Sequence, residues 1–288
     1  MTPEAAAERI RPHARRTPAW KVEVDGRPLV LKLEHLQLTG SFKLRGALNR
    51  LLAEELPDRV VTASGGNHGL GVAKAAALLG VPATVYVPVT APEGKVRRIE
   101  EAGAKLIRHG ATYADAARTA REAPGTYVEA YDDLRVIAGQ GTVALELVQD
   151  VPEVDAVVVA VGGGGLVAGT VLGAGGRRVV AVEPEHCCAL HHALAAGHPV
   201  DSPVDSVAAS ALGATRVGDT PFAILDGAVE SVLVSDAELL AARDRLWEEF
   251  RLAVEPAAAV PFAAWLHGRV EATLAGVVLC GANTDWTP

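Results

Sequence analysis

Short apolar runs alternate with longer amphipathic stretches along the chain. Runs of strand length occur at Leu29–Leu33, Val60–Ala63, Ala83–Val87, Lys105–Ile107, Ala156–Val161, Val179–Val182 and Val277–Leu279, and most are rich in β-branched residues. Between them, Phe42–Glu55, Gly71–Leu79, Gly94–Ala102 and Asp236–Phe250 combine apolar and charged positions in the manner of amphipathic helices. Leu79-Gly80-Val81-Pro82 and Ala102-Gly103 supply helix stops. Strands and helices in alternation predict an α/β fold with parallel sheets covered by helices. Two α/β units fit the length, one around residues 57–138 and one assembled from the rest. The pattern alone leaves open whether the chain leaves the second unit and returns to it.

Composition narrows the function classes. The chain has 288 residues, 49% hydrophobic and 22% charged, the balance of a globular protein able to bury a core without disulfides or metals. A formal charge of −8 and an aromatic content of 4% argue against nucleic acid as a partner. No apolar run approaches the roughly 18 residues of a membrane span, and Met1-Thr2-Pro3-Glu4 opens a segment without a signal-peptide core. Three cysteines, Cys187, Cys188 and Cys280, form no disulfide framework and suit a reducing cytoplasm.

Three segments carry candidate chemistry. In Leu38-Thr39-Gly40-Ser41-Phe42-Lys43-Leu44-Arg45-Gly46-Ala47, Thr39 or Ser41 can cap a helix and place Lys43 in its first turn. The positive end of the helix disfavours an ammonium there, lowering the lysine pKa toward the neutral amine that Schiff-base chemistry needs. A surface lysine on a capped helix fits the same residues. The run Ala156–Val161 leads into Gly162-Gly163-Gly164-Gly165-Leu166, where bare backbone N–H groups and a helix start make a phosphate site. Gly163-x-Gly165-x-x-Ala168 with Glu183 also matches a dinucleotide fingerprint, but that reading leaves the other two segments without a role. Ala63-Ser64-Gly65-Gly66-Asn67-His68-Gly69 is a second strand-to-helix corner. It is either a tight turn or a cradle for a carboxylate or a ring oxygen.

Taken in order, these segments resemble the serine/threonine dehydratase and serine racemase family of fold-type II pyridoxal-phosphate enzymes. The resemblance extends through Thr17-Pro18, Lys32-Leu33-Glu34, Ile137-Ala138-Gly139-Gln140-Gly141-Thr142, Val182-Glu183-Pro184, Glu255-Pro256 and Leu279-Cys280-Gly281-Ala282-Asn283. It implies two open, twisted, mostly parallel sheets with pyridoxal phosphate in the cleft between them. Residues 1–56 and 139–288 would form a large cofactor-binding domain, and residues 57–138 a small mobile domain that touches the substrate. By the same resemblance, Lys43 carries the cofactor as a Schiff base and removes the α-proton, and Phe42 packs against the ring. Asn67 bonds the ring oxygen, Gly162, Gly163, Gly164, Gly165 and Leu166 hold the phosphate, and Cys280 stands at the pyridine nitrogen. Ser64, Asn67 and His68 receive the substrate carboxylate, and the enzyme is a homodimer acting on a small amino acid.

The resemblance implies elimination: a dehydratase converting L-serine, L-threonine or a related β-hydroxy amino acid to a 2-oxo acid and ammonia. A neutral partner at the ring nitrogen favours that outcome over transamination. A thiol at Cys280 is more acidic than an alcohol, which leaves its protonation open. Gly65 stands where serine racemases carry a serine, so racemisation, the first alternative, lacks a proton donor. A non-catalytic binding protein is the second alternative. Relatives place a divalent cation at the position of Glu183, near Cys187, with a further acid where this chain has Ala189. His186, Cys187, Cys188, His191 and His192 offer softer ligands nearby, although a polar helix face explains them as well. Glu255 is open between a place near the cofactor and a helix cap, and His13, His35, His109 and His267 read as packing or surface residues.

Overall fold

The computed structural model describes residues 1–91, 93–284 and 286. The chain opens with α1 (Pro3–Ile10), then β1 (Ala19–Val24) and β2 (Arg27–Lys32), a hairpin turned by Asp25 and Gly26, both at positive φ. A single 3₁₀ turn at Glu34–Leu36 leads to α2 (Lys43–Leu52). There follow β3 (Val60–Ala63), α3 (Asn67–Leu78), β4 (Ala83–Val87), α4 (Glu93–Glu101), β5 (Lys105–Arg108), α5 (Tyr113–Glu122) and β6 (Thr126–Tyr127). The chain continues through α6 (Leu134–Asp150), β7 (Ala156–Ala160), α7 (Gly165–Gly173), β8 (Arg178–Pro184), α8 (Ala189–Ala196) and α9 (Ala209–Leu212). It closes with α10 (Asp219–Leu225), β9 (Glu230–Val234), α11 (Asp236–Phe250), α12 (Pro256–Leu266) and β10 (Ala275–Val278).

Two sheets result. Six strands run in the order β1-β2-β10-β7-β8-β9, parallel except for the β1–β2 hairpin. Four parallel strands run in the order β5-β4-β3-β6. β10 comes from the end of the chain yet lies between β2 and β7, so the carboxyl ends of three strands from distant segments converge. Such an edge of a parallel sheet is where open α/β folds bind ligands. Every residue of β7 and β10 is buried, as expected for strands covered on both faces.

The larger core gathers Val157, Val158, Val180, Val277 and their neighbours, and a second gathers Val60, Val72, Val85 and Ile99 around the four-stranded sheet. α2 contributes Leu44, Leu48 and Leu51 to the second core, although it follows β2 of the larger sheet. On its other side Arg45, 1% exposed, lies in a buried ionic cluster. Its Nε donates to Glu34 Oε1 at 2.6 Å, and its Nη1 and Nη2 reach Glu146 at 2.7 and 2.8 Å. Lys32 Nζ completes the cluster with bonds to Glu146 and to the Thr17 carbonyl. Helix–helix contact beside it is close because side chains are absent. A Cβ at Gly141 would stand 2.6 Å from the Gly169 carbonyl, and one at Gly46 only 2.3 Å from Gln140 Nε2. The Ile137–Thr142 and Gly165–Gly173 segments therefore lock α2, α6 and α7 together.

Candidate active site

A cleft at the carboxyl ends of the larger sheet's strands is lined by Phe42, Lys43, Asn67, Tyr131, the Gly162–Leu166 loop, Leu212, Glu255 and Cys280. Its empty space, open solvent included, amounts to about 490 Å³. Three of its walls are strand ends: β7 runs into the glycine loop, β10 into Cys280, and β3 into Asn67.

Lys43 is the first residue of α2, as its segment predicts, but neither Thr39 nor Ser41 caps the helix. Phe42 occupies the cap position without a side-chain hydrogen bond. Thr39 Oγ1 donates to the Ser41 carbonyl instead, and Ser41 pairs its backbone with Gly281, which ties the lysine segment to the stretch after β10 that carries Cys280. The Lys43 ammonium donates to the Ala130 carbonyl at 2.9 Å and lies 5.2 Å from the centre of the Phe42 ring. Burial lowers its pKa from 10.5 to about 8. Burial also pushes the Cys280 thiol well above the usual range, and the nearby Glu255 carboxylate adds to the effect. The thiol therefore stays neutral at neutral pH.

The glycine loop fits a phosphate. Gly164 has φ +94°, a conformation L side chains rarely adopt, and leaves the N-terminus of α7 without a side-chain cap. Its amides are available to an anion, aligned with the positive end of the helix. One face of the loop packs on Tyr131: a Cβ at Gly163 would lie 2.3 Å from that ring. Sequence reasoning misses Tyr131 and Leu212. They sit in loops or short helices, outside any motif, and reach the cleft only through the fold. Glu255 proves to line the cleft, where Asn67 Nδ2 donates to its Oε1 at 2.8 Å.

The asparagine corner differs from its sequence reading. α3 begins at Asn67, four residues before the helix expected from Gly71, and Gly66 at its cap leaves the first amides without a side-chain partner. Ser64 Oγ accepts from the Gly66 amide at 3.2 Å and steadies the turn. His68 is only 5% exposed, and its Nε2 lies 2.9 Å from Thr62 Oγ1 and 3.1 Å from the Val128 carbonyl. Burial, with help from Lys43, lowers its pKa to about 3, so the ring is neutral. Of Ser64, Asn67 and His68, only Asn67 lines the cleft. The His68 imidazole is committed to Thr62 and Val128, and its backbone N–H lies at the start of α3, which no side chain caps.

At Glu183 the two carboxylate oxygens each accept a backbone N–H, from Leu190 and His191, both at 2.8 Å. The start of α8 thus occupies the carboxylate expected to meet a cation, and burial raises its pKa to about 7. Of the softer candidates, Cys188 and His192 touch, Sγ to Nε2 at 3.8 Å, while His191 and Cys187 find separate partners. His192 pairs with Ser202, His191 with Ser231, and the Cys187 thiol with the Leu212 carbonyl. Among the described residues, no three His, Cys, Asp or Glu side chains are grouped to hold a metal ion.

Comparison with known proteins gives this architecture its family. The family described as pyridoxal-phosphate dependent enzyme matches residues 10–281. The chain belongs to that family. It is 38% identical to an L-threonine ammonia-lyase of Geobacter sulfurreducens, over 98% of this chain and 75% of that protein. It is 36% identical to a β-hydroxyaspartate dehydratase of Paracoccus denitrificans, over 98% of this chain and 95% of that one. Among solved structures, a T.th. threonine deaminase superposes with TM-score 0.93 at 36% identity, covering 99% of this chain and 98% of that chain. A maize serine racemase superposes with TM-score 0.91 at 31% identity, covering 98% and 93%. The pyridoxal-phosphate family also sets aside the dinucleotide reading of Gly163-x-Gly165. Among the described residues, no helix is long and apolar enough to cross a membrane.

Proposed function

We propose that this pyridoxal-phosphate enzyme is a dehydratase that converts L-serine, L-threonine or a related β-hydroxy amino acid to a 2-oxo acid and ammonia, the water lost in elimination being taken up again as the resulting imine hydrolyses. The observation that carries the reading is Lys43, with its depressed pKa, lining one cleft together with the neutral thiol of Cys280 and the glycine loop. The threonine ammonia-lyase and β-hydroxyaspartate dehydratase among its relatives support elimination.

Pyridoxal phosphate, when bound, supplies an electron-accepting ring that makes the α-proton of an attached amino acid removable. Lys43 would hold the cofactor, and its amine, neutral when deprotonated, would serve as the base for the α-proton. The amides of Gly162–Gly165 and the start of α7 would hold the phosphate, with Leu166 next to them, and Phe42 and Asn67 would meet the ring and its oxygen. Cys280 gives the ring nitrogen an uncharged partner, which favours early departure of the β-hydroxyl. The uncapped amides of α3, steadied by Ser64, receive the substrate carboxylate. Gly65 has no proton to deliver opposite Lys43, which disfavours racemisation despite the serine racemase relatives.

Lys43 is the sole cation among the described lining side chains. A second carboxylate, as in β-hydroxyaspartate, would meet Glu255 without a compensating charge, so a neutral side chain fits better. We place residues 57–138 as the small domain that closes on substrate, with residues 1–56 and 139–288 as the cofactor domain. The four-stranded sheet, all of whose strands fall within residues 57–138, supports that division, with α2 of the first segment packed into its core. The same reading makes the enzyme a homodimer and places it in the cytoplasm, and three buried free thiols suit that reducing compartment.

Proton NMR in D₂O, with cofactor present and serine, threonine and β-hydroxyaspartate offered separately, tests the proposal. A 2-oxo acid from serine or threonine, absent in Lys43→Ala, is the expected result. Loss of the α-proton signal without oxo acid would replace elimination by racemisation, and faster turnover of β-hydroxyaspartate would overturn the choice of side chain.

A further inference from the structure

Glu255 lines the cleft, and the chemistry above gives it no part toward the cofactor. It stands at the cap position of α12, yet its carboxylate makes no capping hydrogen bond. The side chain turns into the cleft and accepts from Asn67 Nδ2 at 2.8 Å. The neighbouring backbone is shaped around it. Gly281 accepts from the Glu255 amide at 3.1 Å, and a Cβ on Gly281 would stand 2.2 Å from Glu255 Oε1. With 4% of the residue exposed, a carboxylate has been kept where burial disfavours charge.

The chemistry of the pair fixes an orientation. An ionised carboxylate only accepts hydrogen bonds, so the Asn67 amide must turn its NH₂ end, not its oxygen, toward Glu255. That end carries two hydrogens, and one remains after Glu255 is satisfied. Asn67 Oδ1 meanwhile lies buried without a hydrogen-bond partner, so Asn67 alone supplies no bond that would hold this orientation against a half-turn of its amide.

We propose that Glu255 is a positioning residue: by accepting from Asn67 it locks the amide so that its second N–H faces the oxygen of the cofactor ring. The inference rests on reading the cleft as the pyridoxal-phosphate site. A fixed donor at that oxygen favours its ionised form over the neutral hydroxyl, and these two forms of the bound cofactor absorb at longer and shorter wavelengths respectively. A neutral residue at position 255 removes the preference, because a side-chain amide can donate as well as accept and Asn67 is then free to turn over.

Absorbance spectra of the resting holoenzyme, at one pH and without substrate, test this apart from turnover. In Glu255→Gln the ratio of ionised to neutral form should fall about fivefold, the change expected from one net hydrogen bond. Glu255→Ala should shift it the same way, which keeps the test open if one variant folds poorly. Glu255→Asp, which still only accepts, should stay within about twofold of the parent protein. In an Asn67→Ala background, Glu255→Gln should add nothing. An unchanged ratio in Glu255→Gln and Glu255→Ala would overturn the inference while leaving the cofactor site intact, and so would an equal shift with and without Asn67. A parent protein that shows no visible band with added cofactor would overturn the cofactor site and this inference together.

Discussion

At Lys43 two effects lower the pKa: the positive end of α2 and the loss of water. A helix terminus contributes roughly 0.3–1 kcal/mol, less than one pKa unit, whereas burial is the leading cause of the shift to about 8. The position in the first turn is legible in the sequence; the larger cause needs the fold. Cofactor attachment requires the neutral amine, so its rate in the cofactor-free protein should rise with pH through a midpoint near 8 rather than near 10.5. Stopped-flow absorbance from pH 6 to pH 10 checks this, and a rate still climbing steeply at the alkaline end would contradict it. Gly65 offers a second test at this scale. A Cβ there would meet Ala91 and Val87 at 3.7 Å, ordinary contact distance, so Gly65→Ser is tolerated. Adding a hydroxyl should increase racemisation relative to elimination, read as D-serine formed per 2-oxo acid. An unchanged ratio would show that the missing proton donor is not what limits racemisation.

At the level of elements, the outcome depends on how strands and helices meet. The parallel, fully buried strands are readable because short apolar runs need no partner to be recognised. β1 and β9 are half-exposed edge strands with mixed patterns, and nothing in their sequence sets them apart as apolar runs. The start of α3 falls earlier than the pattern suggests because Gly66, with no side chain to signal a cap, ends the preceding turn. α2 shows what sequence spacing cannot show: its apolar side joins the core of the smaller sheet, while Arg45 on the same helix enters an ionic cluster built from β2, the 3₁₀ turn and α6. Arg45→Met would leave Glu34 and Glu146 short of their charge partner, a loss of about 3–5 kcal/mol. Urea unfolding should show that drop, with reduced cofactor occupancy because α2 carries Lys43. A loss below about 1 kcal/mol would mean that the cluster relaxes or takes in water.

For the whole molecule, two buried neutral histidines couple stability to pH. Burial lowers His35 to about 4, against the pull of Glu34, and His68 to about 3. Both have folded pKa values below the unfolded value of 6.5. Their stabilisation is therefore complete above pH 6.5 and is lost as pH falls from there through the folded values. Each contributes a slope of up to about 1.4 kcal/mol per pH unit in that window. Unfolding free energy measured between pH 7 and pH 4 should fall accordingly, and His68→Gln should flatten the curve. A slope identical in parent and variant would remove His68 as a cause. In the sequence these histidines read as packing or carboxylate-binding residues. Their neutrality follows from a burial that no local pattern reveals.

The α/β class, the glycine loop, the lysine helix start and the asparagine corner are all legible in the chain before it is folded. Each rests on short-range physics: period-two or helical apolar patterns, backbone freedom at glycine, and the anion affinity of helix N-termini. Folding settles what depends on groups distant in the chain. It brings Glu255 to Asn67, Tyr131 to Gly163, and Cys280 beside Lys43. It also turns the His68 ring away from the cleft and gives Glu183 to the start of α8. Burial and charge at those sites are sums over neighbours remote in sequence, which only the converging strand ends of the two sheets bring within contact.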